Sequence, residues 1–600
     1  MNRRTGRQEA ARRLPLLVAT GVGLLAILAT VLVVLQVSDG SGPDCDVRLE
    51  VNSSTEKGDL LAELAAKYNS SGRELGGGRC ARVSVSETSS GVAMDALARG
   101  WDEKRDGAPE PQAWTPTSSL WLTLLAAKGT ASDRTVLTGD KPVSLATSPL
   151  AIAMPRPMAE ALGWPEKKIG WRDVLSLTEK GWGSLGHPEW GRFSLGKDNP
   201  HTSTSGLAAT VAAFYAATGR SSDLTLDQVR DPKTRKFVAG VEAGVLHYAS
   251  DATAYMAHLA EADAEGRSLS YASAVAVQEQ LIHLYNQGSP TGDVDQLGKG
   301  RKPKVPLVAV HPADGTLMLD HPFVVLPSAS REQRAAAADF RAFLLEPAQQ
   351  RRFQHFGFRD HEGNAGPELA KSVSLPDKGK RQLSLIDPPA PAVLGAILDS
   401  WDELRKKARV LLVMDVSGSM NQSAGGGQSR LEAAKKAAVN ALDQFHPDDE
   451  VGLWAFSTET DDHPEPYRQI LPPRPVRESK DRLTAAINGL NADGGTALYS
   501  TVRAAQRAAL AGLDTSRINA VVVLTDGKNE YPADNDLDAL LKDIDATQLE
   551  RSVRVFTVAF SDAADFETLS KISAATKATS YDARDPAVID KVMVSVISNF

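Results

Sequence analysis

The sequence predicts an α/β protein of more than one domain, and three observations carry that prediction. Short apolar runs alternate with stretches of helical periodicity through both halves of the chain. At 600 residues the chain is too long for one hydrophobic core. A charge-free N-terminal run separates a basic tail from everything that follows. The expected organisation is a cytoplasmic tail (1–13), a transmembrane helix (14–37), a linker (38–45), a first α/β domain (46–360), a linker with a connecting helix (361–404) and a doubly wound α/β domain (405–600).

The tail carries Arg3, Arg4, Arg7, Arg12 and Arg13 against one acid, Glu9. The next run, about 24 residues without charge, is long enough to cross a bilayer as one helix. Its arginines place the N-terminus in the cytoplasm and the bulk of the chain outside, as in a single-pass protein of the cell membrane. A cleaved signal peptide is the competing reading, but the run exceeds a signal core of about 7–15 residues and no A-x-A pattern follows closely. Cys45 follows Gly42-Pro43-Asp44, which is no lipoprotein box. Cys45 and Cys80 each precede a strand-like segment, 46–51 and 81–85. Adjacent parallel strands would bring them within range of a disulfide, as expected outside the cytosol. The net charge of -8 argues against nucleic acid as a partner.

In the first domain, apolar alternation over 47–51 runs into Asn52-Ser53-Ser54-Thr55 and then a helix bearing Leu60, Leu61, Leu64 and Tyr68. The pattern repeats with Val83 and Val85, then Thr88-Ser89-Ser90-Gly91. It recurs once more where Thr204-Ser205-Gly206 opens an alanine-rich helix. Hydroxyl-rich turns at helix N-termini offer uncharged donors beside the positive end of a dipole, a setting that suits an oxyanion or small polar solute. Each such turn also caps its own helix with no ligand present. With 147–154, 312–322, the helix near 335–345 and Phe356-Gly357-Phe358-Arg359, the span 46–360 resembles the extracellular solute-binding proteins of transport systems. That resemblance implies two α/β lobes and a cleft near Ser53, Ser54, Thr88, Ser89, Ser90, Thr204 and Ser205. Tyr248, Ser250 and Asp251 are read either as the opposite wall or as a surface loop. The tryptophans at 101, 114, 121, 164, 171, 182 and 190 are expected in the core, and 288–304 reads as a loop.

In the second domain the apolar run 410–414 reads as a strand buried on both faces, and it stops at Asp415-Val416-Ser417-Gly418-Ser419. Asp415, Ser417 and Ser419 are hard oxygen donors at alternate positions, suited to Mg²⁺, Mn²⁺ or Ca²⁺. Two distant pieces complete the set: Asp493-Gly494-Gly495-Thr496, a tight turn, and a second apolar strand over 519–526 ending in Thr525-Asp526-Gly527. In an open parallel sheet ligands gather outside the carboxyl ends of the strands, where both aspartates fall. In the order D-x-S-x-S, then T, then D, this part resembles the von Willebrand factor A domains with a metal-ion-dependent adhesion site. The resemblance implies that Ser417, Ser419 and Thr496 touch Mg²⁺, that Asp415 and Asp526 act largely through water, and that an open position accepts a carboxylate from a partner protein. Gly425-Gly426-Gly427 reads as a loop tip beside the site. Helices are expected over 393–407, 431–442, 477–490, 498–510 and 536–549, with strands over 451–456 and 553–560.

The chain has no H-E-x-x-H, G-x-S-x-G or G-x-x-x-x-G-K-[ST] pattern. The expected function is therefore binding, not catalysis. It comprises Mg²⁺-dependent contact with a protein through the second domain and solute capture by the first, with service to a transport system as the alternative.

Overall fold

The computed structural model describes residues 45–76, 78–131, 136–138, 141–375, 383–458, 465–545, 553–585 and 588–600. The expected tail and transmembrane helix lie outside the described residues, as does the linker up to Cys45. Among the described residues, no helix is long and apolar enough to cross a membrane.

The first lobe is built on a five-stranded sheet in the order Ala81–Glu87, Val47–Ser53, Ala113–Thr115, Pro322–Val325, Val143–Ser144. The first three strands run parallel, with Val47 opposite Ala81. That pairing brings Cys45 and Cys80 together, and they form a disulfide. The second lobe is a six-stranded sheet around Ser148–Pro155, Ala274–Gln278, Leu195–Asp198 and Val245–Ala249. The chain passes between the lobes at three adjacent segments, where Leu145 N donates to His321 O (3.1 Å) and Thr147 and Arg359 exchange backbone bonds. Helix Thr204–Thr218 is buried along almost its whole length, which explains its alanine content: small side chains let it lie among neighbours on every side. Trp114, Trp121, Trp171 and Trp182 are fully enclosed, Trp164 is buried, and Trp101 and Trp190 are half-buried at the core's edge.

The C-terminal domain is one six-stranded sheet in the order Tyr467–Pro475, Glu450–Phe456, Ala408–Asp415, Ile518–Thr525, Arg554–Phe560, Ser580–Ala583. All neighbours are parallel except the Tyr467–Pro475 edge. The first strand in sequence lies inside the sheet, with later strands added on both sides of it, which is the doubly wound order. Its residues are buried on both faces apart from Arg409, as a continuous apolar run requires.

The segment expected as a linker is integrated with its neighbours. Helix Pro367–Ser372 packs on the first domain, where Ser372 Oγ meets His283 Nδ1 at 2.6 Å. Helix Pro391–Leu404 lies on the helices of the second lobe and shares one hydrophobic core with the C-terminal sheet through Trp401. At its end Arg405 is bonded to the buried Asp449 (2.5 Å), and Lys406 N donates to Tyr248 Oη (3.2 Å). Asn199 Nδ2 reaches Ser598 O (3.1 Å), and Tyr248 N reaches Asn599 O (3.3 Å). The second lobe and the C-terminal domain are thus docked through hydrogen bonds and a common core.

Candidate functional sites

The strand Ala408–Asp415 delivers Asp415 to the sheet's carboxyl edge, between neighbours that leave it in opposite directions. This is the topological switch point of the sheet. Asp415 is fully buried, accepting from Ser417 N at Oδ1 (2.8 Å) and from Thr525 Oγ1 at Oδ2 (2.5 Å). Burial pushes its carboxyl up to about 7, with the Ser417 and Thr525 bonds working the other way. Ser417 Oγ and Ser419 Oγ stand 3.0 Å apart, and Ser419 Oγ donates to Asp526 Oδ1 at 2.7 Å.

The Thr496 loop is tied to this turn by its backbone. Gly418 N donates to Gly494 O (2.7 Å) and Asp493 N to Val416 O (2.8 Å). Gly494 takes a left-handed conformation, φ 75°, which explains a glycine there. Gly527 is required for space, because a Cβ on it would lie 2.8 Å from Thr496 Oγ1. Asp415, Ser417, Ser419, Thr496 and Asp526 therefore come to one place from three loops.

Sequence reasoning missed a sixth member, Arg430, whose Nη1 donates to Asp526 Oδ2 at 2.8 Å. Arg430 opens helix Arg430–Ala441, whose start is fixed by a capping box between Ser429 and Glu432. The signal was that capping pattern just after the glycines. Those glycines form the tip of a small hairpin, Ser423–Gly425 with Gln428–Ser429.

The donor set fits a small hard divalent ion. Oxygen ligands about 2.1 Å from Mg²⁺ at right angles stand about 3 Å apart, close to the spacing of the two serine hydroxyls. Three neutral hydroxyls and two carboxylates are the ligand types such an ion takes.

The second expected site lies between the lobes. Ser53, Ser54, Thr88, Ser89, Ser90, Thr204 and Ser205 are all on the facing ends of strands and helices, but most of the hydroxyls are already committed. Ser54 Oγ accepts from Lys57 Nζ (2.6 Å), Thr88 Oγ1 from Asn52 Nδ2 (3.1 Å), Ser90 Oγ from Thr117 N (3.1 Å), and Thr204 Oγ1 from Trp121 Nε1 of the opposite lobe (2.7 Å). Ser53 Oγ turns back to Ser54 O (3.0 Å), whereas Ser205 Oγ is buried without a partner. Ser89 stands at the N-terminus of helix Ser90–Arg99 without capping it by a side-chain bond.

Of the residues read as the opposite wall, Asp251 meets Thr55 Oγ1 across the lobes. Tyr248 does not face the cleft. Its hydroxyl donates to Glu242 Oε2 (2.7 Å) on the side toward the C-terminal domain, because strand alternation turns it away from Asp251's face. Glu56, Lys57 and Asp198, all buried here, were missed. They are the charged residues just after or just before the hydroxyl turns that drew attention.

Residues 49–359 match the family of bacterial extracellular solute-binding proteins. The chain belongs to this family. Behind the solute-binding domain, residues 410–528 match the von Willebrand factor type A domain. Two uncharacterized proteins from strains of Mycobacterium tuberculosis are each 26% identical over 482 residues, 78% of this solute-binding protein and 64% of theirs. The chain thus spans a little under two thirds of the length of those relatives. Among solved structures it is similar to a von Willebrand factor type A protein from Catenulispora acidiphila (22% identity, 32% of this chain and 42% of that one, TM-score 0.27). It is also similar to the sulfate-binding protein SubI from Mycobacterium tuberculosis (15% identity, 60% and 98%, TM-score 0.34).

Proposed function

We propose that this chain is a membrane-anchored extracellular binding protein that captures a small solute between its lobes and engages an acidic group of a partner protein through Mg²⁺ at the tip of its C-terminal domain. The observation that carries the second half is the convergence of Asp415, Ser417, Ser419, Thr496 and Asp526 at the switch point, with the two serine hydroxyls 3.0 Å apart and Ser419 Oγ 2.7 Å from Asp526 Oδ1. Ser417, Ser419 and Thr496 would hold the ion by their hydroxyls, and Asp415 and Asp526 would balance its charge. The bound ion would supply a Lewis-acidic position for an anionic oxygen. Thr525 and Ser417 N hold Asp415 in place, and Arg430 occupies Asp526 Oδ2. The chain acts by binding and not by catalysis.

The test is capture of partner protein from membranes by the full chain, with Mg²⁺ or with chelator. Capture should need Mg²⁺ and be lost in Asp415→Ala, while solute binding is retained. Equal capture in chelator would refute the reading.

A further inference from the structure

The facing surfaces of the lobes hold more carboxylate than their hydroxyl-rich turns suggest. Glu56 Oε2 accepts from Thr117 Oγ1 at 3.0 Å, and its backbone carbonyl accepts from Gln280 Nε2 of the other lobe at 3.2 Å. Asp251 of the second lobe reaches Thr55 of the first. Asp198 ends its strand with one oxygen taken by Ser203 Oγ (2.7 Å), while its other oxygen is buried with no partner. The buried cation beside them, Lys57, spends its hydrogen bonds on Ser54 Oγ and on the carbonyls of Thr115 and Pro116, not on a carboxylate.

Independent of those charges is the set of buried side-chain atoms left without partners on the same surfaces. Asn52 Oδ1 and Gln280 Oε1 accept only, and Asp198 Oδ1 accepts when ionised; the Ser205 and Thr115 hydroxyls can do either, and Gln278 Nε2 donates only. Asn52 and Gln280 are fully enclosed. Each such atom is costly unless something pairs with it, and what pairs with an acceptor is a donor.

An anion finds the opposite situation. The helix start at Ser90–Arg99 is plugged, since Gly91 N donates to Thr202 O (3.0 Å) and a Cβ on Gly91 would lie 2.0 Å from His201 O.

We propose that the interlobe site takes a small organic cation with N–H donors, an alkylammonium or guanidinium group, and not an oxyanion. This rests on the solute-capture reading above. Electrostatics agree with the geometry. Burial, then Asp251, raises the Glu56 carboxyl, and burial lifts Asp198 well above the usual carboxylate range. Lys57 and Lys197 lie near these groups but spend their hydrogen bonds elsewhere, so a ligand ammonium supplies the N–H donor that Asp198 Oδ1 lacks.

The test is calorimetric titration of the full chain in detergent with putrescine, arginine, choline, sulfate, phosphate and glucose. Putrescine or arginine should bind saturably, at least about tenfold tighter than choline, which has no N–H to donate, and Asp198→Asn should weaken that binding about 30-fold. If Asp198→Asn does not fold, Glu56→Gln, which keeps an acceptor for Thr117, should show the same loss. Binding of sulfate, phosphate or glucose in place of the amines, or amine binding untouched by both variants, would overturn the cation assignment and leave solute capture standing. Choline binding as tightly as putrescine would also overturn it, by removing the need for N–H donors. Binding of none of the six would overturn solute capture and the cation assignment together.

Discussion

The interlobe surface and the tip of the C-terminal sheet begin from the same sequence device, a serine- and threonine-rich turn at the carboxyl end of a parallel strand, and reach opposite results. At the tip the hydroxyls face one another and Asp526, so neutral oxygens stay together around two carboxylates. Between the lobes most of the hydroxyls are taken, by Lys57, Asn52, Thr117 and Trp121, and the groups left without partners include the acceptor oxygens of Asn52, Asp198 and Gln280. A hydroxyl turn therefore marks a strand end where ligands gather but does not set their chemistry. That is set by which neighbours have already claimed the hydroxyls and where the nearest formal charges fall.

The helix that leads from the solute-binding domain into the C-terminal domain is fastened there by Arg405 and Asp449, and cutting that tie should have the largest effect. Asp449 is fully buried and also accepts from Ala408 N and His446 N, both at 2.7 Å. Asp449→Ala strands a buried guanidinium and two amides, at a cost of about 3–5 kcal/mol. Calorimetry should show a lower melting temperature for the C-terminal domain.

Removing the disulfide acts on the other region. Cys45 and Cys80 close a loop 35 residues apart in sequence, so Cys45→Ser should cost about 4 kcal/mol in the chain-entropy account. Chemical denaturation should place the loss in the first lobe, with Mg²⁺ binding at the tip unchanged.

Acid separates the regions more gently. Burial holds His283, bonded to Ser372 and His355 O, down at about 4, against about 6.5 in an unfolded chain. Its contribution is fully present above pH 6.5 and is lost as pH falls through 4, because the unfolded chain takes up the proton first. The melting temperature of the wild type should fall across that window more steeply than that of His283→Gln, with about 3 kcal/mol as the upper bound. Parallel curves would contradict the assignment.

The smallest effect is at Arg430. Its charge, 2.8 Å from Asp526, competes with a metal for the same carboxylate. Arg430→Gln should tighten Mg²⁺ binding several-fold, the equivalent of about 1 kcal/mol. Weaker binding in this variant would show that Arg430 orients Asp526 more than it competes.

The parts of the molecule legible in the sequence were those where one local signal sufficed. The apolar run 410–414 lies within the strand Ala408–Asp415, and the helix expected over 498–510 is Leu498–Ala511. The edge strand Tyr467–Pro475 was not legible, because Pro472 and Pro473 contradict a strand pattern. They are tolerated only because the edge leaves their missing N–H groups facing no partner strand. Short terminal elements, Ser580–Ala583 and Ile589–Ile597, were missed for lack of length. Asp415 and Asp526 could be read from strand ends. Arg430 could not, because its bond to Asp526 joins residues 96 apart in sequence, a tertiary fact without periodicity. Glu56 and Asp198 stood in plain view beside the hydroxyls, yet only their burial against the opposite lobe gives them meaning.

The convergence of five scattered side chains on one divalent ion is tested most directly by titrating the full chain with Mg²⁺ in a calorimeter, wild type beside Thr496→Val and the double variant Ser417→Ala, Ser419→Ala. Saturable uptake of one ion per chain, weakened about tenfold or more by the loss of the Thr496 hydroxyl and absent in the double variant, is the expected result. Identical titrations for all three proteins, or no uptake by the wild type, would contradict it.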